Sequence, residues 1–121
     1  MSPSSSTPDS HLPLRPVEFE ILLTLATGER HGYAILQEIS DRSDGALQLE
    51  TGTMYRALRR LVESGLARPA ARKATRESED ERRRYYAITA LGARVATAEA
   101  DRMAKLVATA RAARLLPNPA G

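Results

Sequence analysis

The sequence contains no Cys and no Trp, and its whole aromatic inventory is one Phe and four Tyr. Without cysteine the chain forms no disulfide and offers no thiolate to a metal, a composition suited to a reducing cytoplasm. With so few aromatics, Leu, Ile, Val and Ala must fill the core. In 121 residues that core is small, so we expect one domain completed by a second copy of the chain. Long apolar runs are missing as well. No stretch reads as a membrane span, and the N-terminus lacks the basic-then-apolar order of a signal peptide. Neither of the two His has a nucleophile or a paired carboxylate nearby in sequence. There is also no glycine loop to cradle a phosphate. These gaps argue against an enzyme, and no metal or cofactor is expected.

What is present is positive charge, unevenly spread. The net charge is only +3, but Thr51 to Arg94 holds eleven Lys/Arg against five Asp/Glu, leaving seven against ten for the remainder. A local positive field above a mildly acidic body points to a polyanion, because cations that neutralise phosphates release condensed counterions.

That field centres on LETGTMYRALRRLVESGL, Leu49 to Leu66. Met54, Leu58, Leu61 and Val62 recur at helical spacing and predict one buried stripe. The opposite face is left to Tyr55, Arg56, Arg59 and Arg60. Thr51 is placed to cap the start and Gly65 to end the helix in a left-handed turn. Guanidiniums on such a face can reach phosphates and the O6/N7 edge of guanine, which suits a helix to a DNA major groove. An ordinary solvated helix face has the same pattern, and its neighbours must decide between the two.

Residues 1–13, rich in Ser, Pro and Thr, predict a flexible tail, since they bury too little to offset the entropy of ordering. Pro16 then suits the first turn of a helix with Val17, Ile21, Leu22 and Leu25 on one stripe and Phe19 and Leu23 on another side. Apolar on most faces, this helix is expected to touch its own core and something else. A short connection over Thr27 to Arg30 leads to a second helix, His31 to Arg42, with Ile35, Leu36 and Ile39 inward. Its first-turn N–H groups beside Gly32 can receive a phosphate oxygen, and the Tyr33 hydroxyl can join them. Local capping or packing is the competing role for His31 and Tyr33.

Beyond Gly65 the period changes. Leu66 to Lys73 and Arg82 to Thr89 predict two antiparallel strands joined by a charged tip. Arg72, Lys73, Arg76, Arg82 and Arg83 are placed to straddle a DNA backbone, whereas Glu77, Glu79, Asp80 and Glu81 should point away from it. As a metal site that acidic run is weak, because it lacks the Gly and Asn spacing of a calcium loop. Residues 90–116 form an Ala-rich helix about 40 Å long at 1.5 Å per residue, more than so small a domain covers. Leu91, Val95, Met103, Leu106, Val107 and Ala110 give it an apolar stripe. With Phe19 and Leu23, that stripe is the expected dimer interface.

The expected fold class is mainly α with a small β-hairpin (α+β): a winged helix-turn-helix over residues 14–89, a dimerisation helix over 90–116 and a short tail over 117–121. HGYAI (His31 to Ile35), GTMYRALRRLVESGL (Gly52 to Leu66) and RRRYYAITALG (Arg82 to Gly92) occur in this order. In that combination the chain resembles the PadR family of bacterial transcriptional regulators, from about Leu14 to Leu116, in its short subgroup with one C-terminal helix. The resemblance implies a homodimeric repressor on double-stranded DNA, commonly released by a small phenolic or drug-like effector. It also implies DNA contacts by Tyr33, by the exposed face from Thr53 to Arg60 and by the basic wing. With Thr51 at the head of the helix, the expected contact set is Tyr33, Thr51, Thr53, Tyr55, Arg56, Arg59, Arg60, Arg72, Lys73, Arg76, Arg82 and Arg83. Arg56, Arg59 and Tyr55 are placed nearest the bases, Arg60 and the wing on phosphates. Some short relatives hold flat aromatic drugs between paired tryptophans, which this chain lacks. The other reading is a winged helix that uses its basic face on an acidic protein surface, without an operator.

Overall fold

The computed structural model describes residues 7–70 and 84–117. In chain order the elements are a 3-10 turn at Pro8–His11, α1 (Pro16–Ala26), β1 (Arg30–His31), α2 (Gly32–Arg42), α3 (Thr51–Glu63), β2 (Ala67–Pro69), β3 (Tyr85–Ile88) and α4 (Ala90–Ala112). The strands form one antiparallel sheet in the order β1-β3-β2. Helices plus this sheet are the α+β winged-helix arrangement expected. The two-residue strand β1 is the unexpected part: Arg30 pairs with Tyr86 and His31 with Tyr85. Two residues carry no periodicity, so nothing in the sequence marked them as strand.

The core lies where α1, α2, α3 and the sheet converge. Ile21, Leu22 and Leu25 of α1, Ile35 and Ile39 of α2, and Met54, Ala57, Leu58 and Leu61 of α3 are all fully buried. These are the stripes read from helical spacing, with Val17, Leu36 and Val62 packed at the margin. Helix α1 starts at Pro16, and the preceding Arg15 supplies no side-chain cap. Thr51, expected to cap α3, does not do so. It is the first helical residue, and the extended Glu50 before it makes no side-chain capping bond.

The end of α3 is closed by backbone. Gly65, at φ 81°, lets its own N–H bond Val62 O at 3.1 Å and brings the Leu66 N–H to Leu61 O at 2.8 Å. This paired turn satisfies carbonyls the helix would leave open. Thr89 then welds the start of α4 to that turn: its hydroxyl donates to Gly65 O at 2.6 Å and accepts from the Gly92 N–H at 2.9 Å. Gly92 is needed there, because a Cβ at this position would lie 2.0 Å from the Leu66 carbonyl oxygen.

Three further expectations are corrected. Within the predicted tail, residues 7–13 are placed: the Pro8–His11 turn packs along α4, and Leu12 and Leu14 dock on the core. Two leucines within three residues supply the apolar surface that the Ser/Pro-rich composition obscures. The second concerns Val95, placed at the dimer interface but fully buried within its own chain. Leu91, packed partly against the core, offers little free surface either. Farther along, Leu106 and Val107 are exposed, and so is Leu23 of α1. Phe19, Met103 and Ala110 are half-buried. Helix α4 also stops earlier than residue 116. Arg114 turns left-handed at φ 66°, and the Leu115 N–H bonds back to Ala110 O at 2.8 Å.

A buried carboxylate ties the N-terminal segment to α4. Glu99 is fully buried, held by Arg102 Nε at 2.7 Å and Nη2 at 2.9 Å and by the backbone N–H of Leu14. The Arg102 hydrogen bonds lower its pKa, outweighing the desolvation that would raise it, with the Arg102 charge and the Leu14 N–H adding to the shift. Because the folded-state value lies below the unfolded one, the carboxylate stabilises the fold above the ordinary carboxylate range. That contribution is lost as pH falls through the lowered value. Urea unfolding should therefore show Glu99→Gln less stable than the parent at pH ~7, with the gap shrinking below pH ~4. Gly92→Ala, which forces a Cβ against backbone, should cost about 1–3 kcal/mol by the same measurement.

Candidate nucleic-acid interface

The N-terminal turn of α2 meets α3 where Tyr55 covers Gly32. The His31 ring caps α2, its Nδ1 accepting from the Ala34 N–H at 3.1 Å, and stands edge-on to Tyr85 with centroids 5.5 Å apart. His31 is thus a local capping and packing residue. Two positions on, the Tyr33 side chain stands free, 62% exposed. Gly32 between them is buried because Tyr55 of α3 lies over it: a Cβ there would come within 2.3 Å of the Tyr55 hydroxyl oxygen.

This contact corrects the expectation for Tyr55. Its hydroxyl oxygen is buried rather than directed to solvent, because the hollow above Gly32 admits the ring. Arg60 is corrected too. Its Nε bonds Glu18 Oε2 at 2.9 Å, the carboxylate being 12% exposed, so the side chain braces α3 against α1. One residue advances about 100° around a helix, which separates Arg60 from its neighbour Arg59. The partner is 42 positions away in sequence, where no local pattern could reveal it.

Thr51, Arg56 and Arg59 are exposed as expected, with Thr53 half-buried. The Arg56 guanidinium bends back over the first turn of α3. Its Nη2 donates to Thr53 Oγ1 at 3.3 Å, and its Nη1 lies 3.2 Å from where a Cβ on Gly52 would stand. Neither Arg56 nor Arg59 meets a carboxylate among the described residues. Elsewhere arginines of the helix-turn-helix are spoken for: Arg30 pairs with Glu38, and Arg42 with Glu20 at 2.7 Å.

Strands β2 and β3 lie within the predicted pair, registered Ala67 to Ile88, Arg68 to Ala87 and Pro69 to Tyr86. The wing residues Arg72, Lys73, Arg76, Arg82 and Arg83 lie outside the described residues, as does the acidic run. Two arginines absent from the predicted set are exposed where the wing joins the body, Arg68 and Arg84. Arg84 belongs to the same basic run as Arg82 and Arg83, and that run is the signal that could have included it. Arg84 and Arg59 line one cleft of about 170 Å³ between α3 and the sheet, with Tyr55, Leu58, Val62, Pro69 and Tyr86. No group of His, Asp or Glu among the described residues is arranged to hold a metal ion. No described helix is long and apolar enough to cross a membrane.

Comparison with known proteins agrees with this geometry. A transcriptional regulator from Clostridium thermocellum superposes with a TM-score of 0.62 at 24% identity, covering 84% of this chain and 90% of that one. Bacillus subtilis PadR, solved in complex with operator DNA, superposes with a TM-score of 0.58 at 20% identity, covering 75% of this chain and 47% of that one. At such identities the likeness is one of fold. In sequence, an uncharacterized protein of Lysinibacillus sphaericus is 33% identical over 72 residues, which span 60% of this chain and 63% of that relative. The sequence pattern of the transcriptional regulator PadR-like family matches residues 21–98. With the family's match running from α1 through most of the first half of α4, this chain belongs to the PadR-like family of transcriptional regulators.

Proposed function

We propose that the protein is a sequence-specific DNA-binding repressor that works in the bacterial cytoplasm as a homodimer on a roughly palindromic operator. The observation that carries this reading is the division of α3: one face is wholly buried in the core, while Arg56 and Arg59 project from the other without a carboxylate among the described residues. Unneutralised guanidiniums on an exposed helix suit the phosphates and guanine edges of a major groove. Tyr33, Thr51 and Thr53 extend the same face across the start of both helices. The operator complex of Bacillus subtilis PadR supports a DNA partner for this fold.

Dimerisation is inferred from surface left uncovered. Helix α4 runs about 34 Å at 1.5 Å per residue, and past Glu99 it carries Leu106 and Val107 into solvent. With Leu23, Phe19, Met103 and Ala110, these side chains form a face that a second copy would bury about a two-fold axis. The two α3 helices would then enter successive major grooves about one helical turn apart, roughly 34–36 Å. Release by a small aromatic effector belongs to the same proposal. Lacking Trp, this chain would hold such a ligand on Leu, Val, Met and Phe side chains.

Selection of bound fragments from genomic DNA, at a stated salt concentration, tests the reading. It should return inverted half-sites spaced ~10 base pairs centre to centre. The Arg56→Ala/Arg59→Ala variant should lose about 2–4 kcal/mol of operator affinity, and unchanged affinity would reject α3 as the recognition helix. A winged helix serving an acidic protein would instead give no footprint and a shallow salt dependence. Leu106→Glu/Val107→Glu should sediment as a helical monomer, because two charges cannot be buried unpaired in an interface.

A further inference from the structure

We propose that Arg59 and Arg84 are the two jaws of a clamp on a single DNA backbone phosphate, so that Arg59 positions the protein while Arg56 reads the bases. This rests on the operator-binding reading above and divides its arginines between two tasks. Arg59 stands on α3 and Arg84 at the entry to β3, 25 positions later, yet both line one cleft. The cleft's other surfaces are largely apolar, among them Leu58, Val62, Pro69 and Tyr86. Both arginines are exposed, and neither meets a carboxylate among the described residues. Two like charges lining one cleft repel each other, and an anion between them converts that repulsion into two attractions. A phosphodiester has two free oxygens, one for each guanidinium fork.

Arg56 is excluded from this cleft and differently held. Its guanidinium lies over the N-terminal turn of α3, bonded to Thr53 and seated beside Gly52. Recognition helices meet base edges with their N-terminal residues, and a guanidinium aimed that way is placed to pair with guanine. Arg59, almost a turn farther on and beside the wing, is placed to meet the strand that borders the groove.

The test measures affinity across a salt series for the parent, R59A, R84A, R59A/R84A and R56A. The ligands are the selected operator and its single-base-pair variants. R59A and R84A should each weaken binding by the same factor on every fragment. Each should also make the slope of log K against log salt shallower, with the double variant reaching a total change of about 2 for the dimer, as for one phosphate per protomer. The second removal should cost less than the first, because the two act on one group. R56A should instead flatten discrimination at one or two base pairs. Both clamp side chains are exposed, so the melting temperature of each variant should match the parent's. A base preference altered by R59A would overturn the assignment, as would R84A without effect, or a slope change of about 4 in the double variant, as for two separate phosphates per protomer. A parent protein that binds no operator would overturn the repressor reading itself, a result separable because it needs no variant.

Discussion

The roll of α3 about its own axis decides what this protein can present to a partner. Met54, Ala57, Leu58 and Leu61 are buried without remainder, and turning the helix by one residue would drive Arg59, or in the other sense Arg56 and Arg60, into the core. Burial of side chains of this size stabilises each by roughly 1.5–3 kcal/mol, far more than any exposed contact on the other face could offset. The Arg60–Glu18 pair then holds one flank and the Tyr55 ring over Gly32 the other. Arg56 and Arg59 are outward because everything around them is committed inward.

The same helix is joined rigidly to the long helix α4. Through Thr89, the turn that ends α3 is also the cap that begins α4, with Gly92 pressed against Leu66 and no room for a side chain between. No hinge intervenes between the two helices, so their directions are coupled.

The sequence made the buried stripes legible, because helical spacing is a local property. It also disclosed the strand pair, from Tyr85, Tyr86 and Ile88 and the turn at Gly65. What it concealed was long-range or very short. Arg60 looked like part of the exposed arc until Glu18, from another helix, was brought beside it. Tyr55 looked the same until the missing side chain of Gly32 opened a seat. Strand β1 has too few residues to show a period, and Val95 carries the same apolar signal whether it meets its own core or another chain. Nothing local marks Glu99 as buried, because it is covered by a segment that composition assigned to a loose tail.

That last feature bears on how the chain can be handled. The stretch from Pro8 to Leu14 lies along α4 and supplies a backbone donor to an interior anion. Shortening the chain to a minimal winged domain that begins at Pro16 would strip away both the leucines and that donor, leaving the Glu99 carboxylate facing solvent midway along α4. A bulky purification handle fused close to residue 7 would crowd the same groove. The segment from Pro8 to Leu14 is thus part of the frame, and changes made there will be felt along α4.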